Sequence, residues 1–433
     1  MKSKKATRKL MLAIPACIYL LATLQAINIQ ASDWSQWLGT ERNGLSKETG
    51  LLKEWPEGGP KLLWSEDGFT SVNHVEGIGS GFSSPSIANG SLYITGMIDN
   101  NEILSAYDLE GNLKWRKEYG KAFSKSYPDA RTTPTVDGNS IYVISGTGDV
   151  VCFDATSGDI KWSVKAFDKF EGKHGSWGIA ESPLIVDDKV IYTPCGEKTT
   201  VVALDKNTGE TVWASESIND KSAYVSPILV ERGGKKLIVG VTGDYIIGVN
   251  AANGKIEWQF NYKETSEKGR DINAVSPIYH NGYIYVTSGY DHGGAMLKLS
   301  EDGTNVSLAW VDSTLDTHHG GVVLVDGYIY GANWINNGEG NWVCLDWNSG
   351  KTMYEKKWHN KGSIIYADGM LYCYEEKTGN LGLVKASPED FTVVSSFKIK
   401  QGKGPHWAHP VISDGRLYIR HGNVLMVYDI KAK

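Results

Sequence analysis

The sequence predicts an all-β fold, an eight-bladed β-propeller made of four-stranded antiparallel blades. A segment of about 45 residues recurs along the chain, and each copy reads as short strands of alternating apolar residues separated by turns. The composition agrees, because 49 Gly, 22 Tyr and 15 Trp favour strands and tight turns over helices. The propeller is expected to occupy residues 60–433.

Residues 1–31 have the features of a secretory signal peptide. Five basic residues and no acidic residue precede an apolar run over residues 10–24, and the segment ends at the small residue Ala31. A membrane span needs about 20 apolar residues, whereas Pro15 and Gln25 bracket a shorter run. We therefore expect cleavage and a periplasmic or secreted protein that begins with an N-terminal extension, residues 32–59.

The predicted mature chain is acidic. Loss of the signal peptide removes five basic residues and changes the formal net charge from −6 to −11. Nucleic acids and anionic membranes attract clustered Lys and Arg. We therefore expect no binding to nucleic acid, no membrane span after cleavage, and a monomer whose partner is a small molecule or a protein of the periplasm.

In each copy the first strand is expected to turn directly into the second. Pairs such as Asn89-Gly90 and Asp326-Gly327 stand between them, and such pairs tolerate the positive φ that a tight hairpin requires. The second strand alternates, as in residues 283–287 (YIYVT), which is the pattern of a strand with two different faces.

The third strand ends in Asp or Asn, with Gly four residues later and an aromatic residue four beyond that, as in Asp154, Gly158 and Trp162. This spacing is typical of a turn in which the polar side chain accepts backbone N–H groups and Gly adopts the left-handed conformation. The aromatic residue starts the outer strand and is expected to pack between blades. We expect this structural role for Trp64, Trp115, Trp162, Trp213, Trp258 and Trp310.

Eight first strands but only seven outer strands follow Ser84 in the sequence. The last of these outer strands carries Phe397, and the final copy, residues 409–429, ends without one. Residues 60–64 (PKLLW) form an isolated strand near the N terminus. We expect this N-terminal strand to join the last blade, because it would close the ring and pair every edge.

The cysteines beyond the signal peptide fall in four different blades, and none forms a CxxC or adjacent pair. Stacked sheets lie about 10 Å apart, whereas a disulfide needs Cα atoms within about 7 Å. Buried free thiols are therefore expected at Cys152, Cys195, Cys344 and Cys373.

The loops that precede the innermost strands of a propeller converge on one mouth of its channel. The candidate lining residues in these loops are Ser83, Arg131, Trp177, Glu181, Tyr224, Asp271, Asn273, His318, His319, Lys361, His406 and His409. Convergent polar groups can fix the orientation of a small ligand. The alternative is that these polar residues are simply solvated, as loop residues usually are. Histidine serves as a base or a metal ligand, but no HxxxH or HExxH spacing indicates zinc.

The Asp-x-x-x-Gly-x-x-x-Trp repeat resembles that of the pyrroloquinoline quinone (PQQ)-like repeat family. This family includes the quinoprotein alcohol dehydrogenases and an outer-membrane assembly lipoprotein. Residues 33–39 (DWSQWLG), 318–321 (HHGG) and 361–363 (KGS) resemble a subgroup of exported propellers that is named only for the repeat. The resemblance covers nearly all of the predicted mature chain and implies the fold, but one fold supports many functions.

The resemblance also implies a cofactor site. Quinone-dependent members of the family hold PQQ and Ca²⁺ at the channel mouth with Glu, Asn and Asp, and Glu181, Asn273 and Asp316 match those residue types in chain order. Oxygen ligands of this kind suit Ca²⁺. The disulfide of adjacent cysteines that often covers the quinone has no counterpart in this sequence.

Two functions therefore stay open. The first, which the missing disulfide favours, is a periplasmic ligand-binding or scaffolding protein with its site at the channel mouth. The second is a PQQ- and Ca²⁺-dependent quinoprotein dehydrogenase that oxidises an alcohol or sugar. The sequence has no CxxCH haem motif, so such an enzyme would pass its electrons to a separate protein.

Overall fold

The computed structural model describes residues 33–66 and 77–432. These residues form eight blades of four antiparallel strands, arranged as a β-propeller, which confirms the predicted fold. A short additional strand, Leu45–Ser46, pairs in parallel with Gly362–Ala367 and makes that sheet five-stranded. The signal peptide predicted for residues 1–31 lies outside the described residues. Within residues 33–66 and 77–432, no helix combines the length and the apolar character that crossing a membrane requires.

The blades are numbered along the chain, and strands a to d of each blade run from the channel outward. The first strands of neighbouring blades contact one another, which places them innermost. Blade 1 consists of Ser86–Ala88, Ser91–Ile98, Asn101–Asp108 and Leu113–Lys121, and blade 2 of Thr135–Asp137, Ser140–Ile144, Val150–Asp154 and Ile160–Val164. Blade 3 consists of Leu184–Val186, Lys189–Tyr192, Val202–Asp205 and Thr211–Ala214, and blade 4 of Ile228–Arg232, Lys235–Val241, Tyr245–Asn250 and Ile256–Asn261.

The second half of the ring repeats this order. One α-helical turn, Ala166–Lys169, follows blade 2, and a 3₁₀ turn, Lys263–Thr265, follows blade 4. Blade 5 consists of Ile278–His280, Tyr283–Ser288, Gly293–Leu299 and Val306–Asp312, and blade 6 of Val322–Val325, Tyr328–Ala332, Trp342–Asp346 and Thr352–Lys356. Blade 7 consists of Gly362–Ala367, Met370–Glu375, Asn380–Lys385 and Val393–Lys398. Blade 8 consists of Val411–Ser413, Arg416–His421, Val424–Asp429 and the N-terminal strand Lys61–Glu66.

The ring is closed as the sequence predicts. Strand Lys61–Glu66 pairs antiparallel with Val424–Asp429, so that Lys61 lies opposite Asp429 and Glu66 lies opposite Leu425. The two ends of the propeller are thereby held in one sheet, and strand Val424–Asp429 has a paired neighbour on each side.

Five of the repeated tryptophans, Trp64, Trp115, Trp162, Trp213 and Trp310, pack on a glycine of the following blade. Trp258 instead packs on Gly248 of its own blade. The Trp213 indole of blade 3 covers Gly254 in the c–d turn of blade 4, where a Cβ atom would lie 2.5 Å from the ring. Its Nε1 also donates to the Ala251 carbonyl, 3.1 Å away. Trp64, Trp115 and Trp162 donate in the same way to a carbonyl of the following blade. These residues therefore contribute packing and a satisfied hydrogen bond at the interface between blades.

Side-chain hydroxyls tie the innermost strands together. The backbone N–H of Ser84 donates to Thr133 Oγ1, that of Thr133 to Ser182 Oγ, and that of Ser182 to Ser226 Oγ. Each hydrogen bond links one blade to its neighbour and satisfies a backbone donor that is out of reach of solvent. These hydrogen bonds therefore fix the residues just before strand a of blades 1 to 4 relative to one another.

Blade 7 departs from the tryptophan pattern. Its strand register places Ser395, and not Phe397, at the position that Trp115 occupies in blade 1. Trp55 of the N-terminal extension fills the gap: its backbone N–H donates to Ser395 Oγ at 2.9 Å, and its ring lies 5.1 Å from that of Phe397. An aromatic residue from a distant segment thus replaces the one that the repeat lacks.

The four cysteines of the described chain, Cys152, Cys195, Cys344 and Cys373, are buried free thiols, as predicted.

The contact between tryptophan and glycine can be tested with two glycines of blade 4. Gly254 and Gly234 have φ values of +77° and +73°, but only Gly254 faces a neighbouring ring, whereas a Cβ atom at Gly234 would meet nothing within 4 Å. Both alanine substitutions should lose about 1 kcal/mol to backbone strain. Gly254→Ala should lose a further 1 to 3 kcal/mol, roughly, because it displaces Trp213. Chemical denaturation measures both, and equal losses would contradict this packing role.

Candidate functional site

A cavity of about 330 Å³ opens at the mouth where the d–a loops converge. Aromatic side chains predominate in its wall, and charged and amide groups stand among them. The lining residues are Trp37, Phe82, Tyr127, Arg131, Trp177, Ala180, Tyr224, Ser226, Ile272, Ala274, Ser276, Tyr290, His318, His319, Asn337, Glu376, Trp407 and His409.

The floor of the cavity comes from the N-terminal extension. Trp34 pairs with Ile87 of blade 1, and the backbone carbonyl of Gly44 accepts from Tyr366 of blade 7. Between these points, Trp37 donates from Nε1 to Ser276 Oγ, 3.1 Å away at the start of blade 5. The segment therefore lies across the channel, because it touches blades on opposite sides of the ring.

Arg42 anchors the same segment to blade 3. Its guanidinium donates to the carbonyls of Ser182 and Pro183 at 2.8 and 2.9 Å, and to Gln36 Oε1 at 3.0 Å. Burial lowers the pKa of Arg42 to about 10, while the nearby Glu181 carboxyl opposes that shift. Arg42 still carries its charge at neutral pH, and its two Nη atoms donate to these carbonyls and to Gln36, whereas its buried Nε makes no hydrogen bond with any described residue.

One wall holds a compact polar group. His318 Nε2 makes a hydrogen bond of 2.8 Å with the Tyr290 hydroxyl, and His319 Nε2 lies 3.4 Å from a Glu376 carboxylate oxygen. The other Glu376 oxygen pairs with the buried Lys361 ammonium at 2.9 Å. His409 Nε2 contacts the His319 carbonyl at 3.0 Å, and its ring lies 4.7 Å from that of Trp37.

Both histidines of this wall are neutral at physiological pH. Burial, together with the His319 charge, lowers the pKa of His318 to about 2. Burial, with the charges of His409 and Lys361, lowers the pKa of His319 to about 3. Among the lining residues, Arg131 and not these imidazoles therefore offers a positive charge to an anion in the cavity.

Arg131 lies on a different part of the wall. Its guanidinium donates to the carbonyls of Ser126, at 3.0 Å, and Tyr127. Its Nη1 is buried and makes no hydrogen bond with any described residue. Glu102 provides a nearby countercharge, although burial raises the pKa of that carboxyl to about 7. Arg131 can therefore donate a further hydrogen bond to a ligand in the cavity.

The structure separates the predicted site residues into two groups. The lining contains Arg131, Trp177, His318, His319 and His409, whereas Glu181, Asn273, Asp316, Lys361 and His406 are not part of it. Lys361 contacts the lining indirectly, through its ion pair with Glu376. His406 stacks on His421 with ring centroids 3.6 Å apart and bonds the Tyr374 hydroxyl.

The three residues implied as Ca²⁺ ligands do not line a common cavity. Glu181 accepts from the Thr193 N–H and hydroxyl, and burial raises its pKa to about 8. Asn273 donates to the Thr242 and Gly243 carbonyls.

Asp316 accepts from the backbone N–H groups of Asp291 and Gly293 and lines a second cavity of about 470 Å³. Asn273 Oδ1 is buried and has no hydrogen-bond partner among the described residues. Of the three residues, Asp316 alone lines one of the two cavities described, and the Ca²⁺ and PQQ site that the resemblance implies stays a prediction.

Several lining residues lie outside the loops before strand a, and the sequence prediction of the cavity lining covered those loops alone. Strands a and c run in the same direction, so the b–c loops reach the same mouth, and they supply Tyr290, Asn337 and Glu376. Trp407 follows His406 directly and could have been found from its position. Trp37 comes from the extension, and only its place in residues 33–39 singled it out.

The lowered histidine pKa predicts a specific acid sensitivity. The pKa of His318 falls from its usual 6.5 to about 2 on folding, so below pH 6.5 the unfolded chain takes up a proton that the native chain does not. The stability of the parent should therefore decline as the pH falls below 6.5.

His318→Gln should show a shallower decline, measured as the free energy of unfolding against pH. Replacement of His280, which is exposed in a hairpin of blade 5, serves as the control and should follow the parent. The prediction is wrong if the free energy of unfolding of His318→Gln declines with falling pH as steeply as that of the parent.

The family profile described as "Outer membrane protein assembly factor BamB" matches residues 99–356. Among curated proteins, the chain is similar to that factor from Bordetella pertussis, with 27% identity over 281 residues and 62% of each chain covered. It is also similar to the Escherichia coli K12 factor, with 25% identity over 179 residues that cover 40% of this chain and 41% of the relative. The chain spans about half the length of the curated relatives it matches.

Solved structures share the fold. The crystal structure of BamB from Moraxella catarrhalis has a TM-score of 0.56 at 16% identity, over 79% of this chain and 97% of that one. The quinohemoprotein alcohol dehydrogenase from Comamonas testosteroni has a TM-score of 0.66 at 12% identity, over 93% of this chain and 81% of that one. At these identities the likeness concerns the fold alone. Since the profile match covers more than half of the sequence and the described blades agree with it, the chain belongs to the outer membrane protein assembly factor BamB family of PQQ-like repeat propellers.

Proposed function

We propose that this chain is an exported propeller that binds a small molecule in its central cavity. The observation that carries the proposal is the closed floor: residues 33–44 cross the channel and turn an open passage into a pocket with Trp37 at its base. A pocket of this size with a mostly aromatic wall and a few convergent polar groups is the usual form of a small-molecule site.

The wall favours a ligand that contains a ring. Trp407 lies 4.9 Å from Phe82, 5.0 Å from Tyr127 and 5.0 Å from His319, measured between ring centroids. These rings form a continuous surface on which a planar or sugar ring can stack. Polar groups then fix the orientation of the ligand.

The charge of the wall favours an acidic or carbonyl group on that ligand. Arg131 offers a buried guanidinium nitrogen with no hydrogen-bond partner among the described residues. A buried donor without a partner costs free energy, which a ligand oxygen would recover. Lys361 cannot play this part directly, because Glu376 already pairs with it.

A second function, as a scaffold in outer-membrane assembly, is favoured by the family match and by the names of the curated relatives. The predicted signal peptide and the family match both support a site of action in the periplasm as part of this proposal. If the scaffold function holds, deleting the gene should lower the outer-membrane protein content of the host. The cavity variants described next should restore that content as well as the parent does, because they change the interior of the mouth and leave the rim in place.

The proposed ligand site can be tested with 8-anilinonaphthalene-1-sulfonate, which combines aromatic rings with an anionic group. The natively folded protein should bind one dye molecule saturably. Arg131→Gln should weaken binding roughly tenfold or more, because it removes a charge-assisted hydrogen bond. Trp37→Ala should also weaken it by removing the floor.

Arg232→Gln provides the matched control, because Arg232 lies at the a–b hairpin of blade 4, at the other end of the sheet from the cavity. Its dye affinity should equal that of the parent, and all proteins should first be shown to be folded by their thermal transitions. The proposal fails if the folded parent shows no saturable binding, or if the Arg131 and Arg232 variants bind alike.

A further inference from the structure

The side chains of His318, His319 and Glu376 form a cluster that neither the repeat nor the fold requires. His318 and His319 belong to the loop before blade 6, and Glu376 belongs to the b–c loop of blade 7. One potential ligand atom from each lies within 4.8 Å of the other two. Two imidazoles and a carboxylate at this spacing are a donor set for a divalent transition metal ion.

Two nitrogens of the cluster have no hydrogen bond. His318 Nδ1 and His319 Nε2 are out of contact with solvent, and neither makes a hydrogen bond with any part of the chain that the structure describes. Buried polar atoms in folded proteins almost always have a partner, so these two nitrogens are candidate donors to a bound ion.

The surroundings hold each donor in a suitable state. Where His318 Nε2–H donates to the Tyr290 hydroxyl, 2.8 Å away, the Nδ1 lone pair is free to bind an ion. Lys361 holds one Glu376 oxygen at 2.9 Å, which leaves the other oxygen facing His319. Outer groups that orient metal-binding histidines and carboxylates in this way are typical of metal sites.

We propose that His318, His319 and Glu376 bind a single divalent transition metal ion, with Zn²⁺ as the best match. Nitrogen donors disfavour Ca²⁺ and Mg²⁺, which prefer oxygen ligands. All three residues line the cavity, so an ion that they hold keeps at least one position open to a ligand. Three protein donors and one open position are the arrangement of zinc sites that act on ligands, as opposed to closed structural sites.

The charge balance points to the kind of ligand that completes this site. Lys361 and Glu376 neutralise one another, so a bound divalent ion leaves two positive charges at a partly enclosed wall. An anionic ligand oxygen entering from the cavity would offset them. This matches the acidic ligand proposed above, although metal binding itself does not depend on that proposal.

The test uses the purified chain without an affinity tag, because a histidine tag would bind the metal. After treatment with EDTA and dialysis, the parent is titrated with Zn²⁺, with Ca²⁺ and with Co²⁺, whose visible spectrum reports nitrogen and oxygen ligation. Cysteine ligands do not compete, since the four cysteines of the described chain are buried in separate blades. Zn²⁺ should bind at about one equivalent per chain, and Ca²⁺ should bind far more weakly.

His318→Gln, His319→Ala and Glu376→Gln should each weaken Zn²⁺ binding by more than about tenfold, the smallest loss seen when even an outer partner of a metal ligand is removed. His280→Ala, at an exposed histidine, should bind as the parent does. Thermal transitions identify any variant that fails to fold, and the Co²⁺ spectrum of the parent decides the question without any variant. The proposal is overturned if the parent binds Zn²⁺ no better than Ca²⁺, or if the folded variants bind it as the parent does.

Discussion

The structure depends on one strand pairing, that of Lys61–Glu66 with Val424–Asp429. Without it, the last blade would have only three strands, and contacts such as the hydrogen bonds from Arg420 of blade 8 to Ser83 and to the Thr95 carbonyl would be left to join the two ends of the ring. Each blade buries its faces only against its neighbours, so an open ring would weaken the packing at both ends. The eight blades therefore form one cooperative unit because the N-terminal strand completes the last of them.

This closure also explains how the cavity acquires its floor. The residues before Lys61 reach the outer edge of blade 8 from the inside of the ring, where Trp34, Trp37 and Arg42 lie across the channel. On the way, Glu48 accepts the N–H groups of the Asp414-Gly415 turn. The same segment thus closes the ring, blocks one end of the channel and supplies the base of the pocket.

The features that could be predicted from the sequence are those that repeat. Eight hairpin turns and a fixed Gly-to-Trp spacing define the blades, and a count of strands shows which one is missing. Glu376 could not be found in this way, because it belongs to a b–c loop that carries no repeated signal. Glu181 and Asp316 match the family in chain order, but chain order does not determine where a side chain points, and local backbone donors hold both carboxylates away from the cavity.

Hydrogen exchange measured by mass spectrometry tests the central claim most directly. If the N-terminal strand holds the ring together, those amides of Lys61–Glu66 that donate to Val424–Asp429 should exchange only when the whole propeller unfolds, at the same rate as the amides of Leu237–Val241 in the buried centre of blade 4. Denaturant should accelerate both segments in parallel. Rapid exchange of Lys61–Glu66 while blade 4 stays protected would show that the strand is only loosely attached, and would contradict the account.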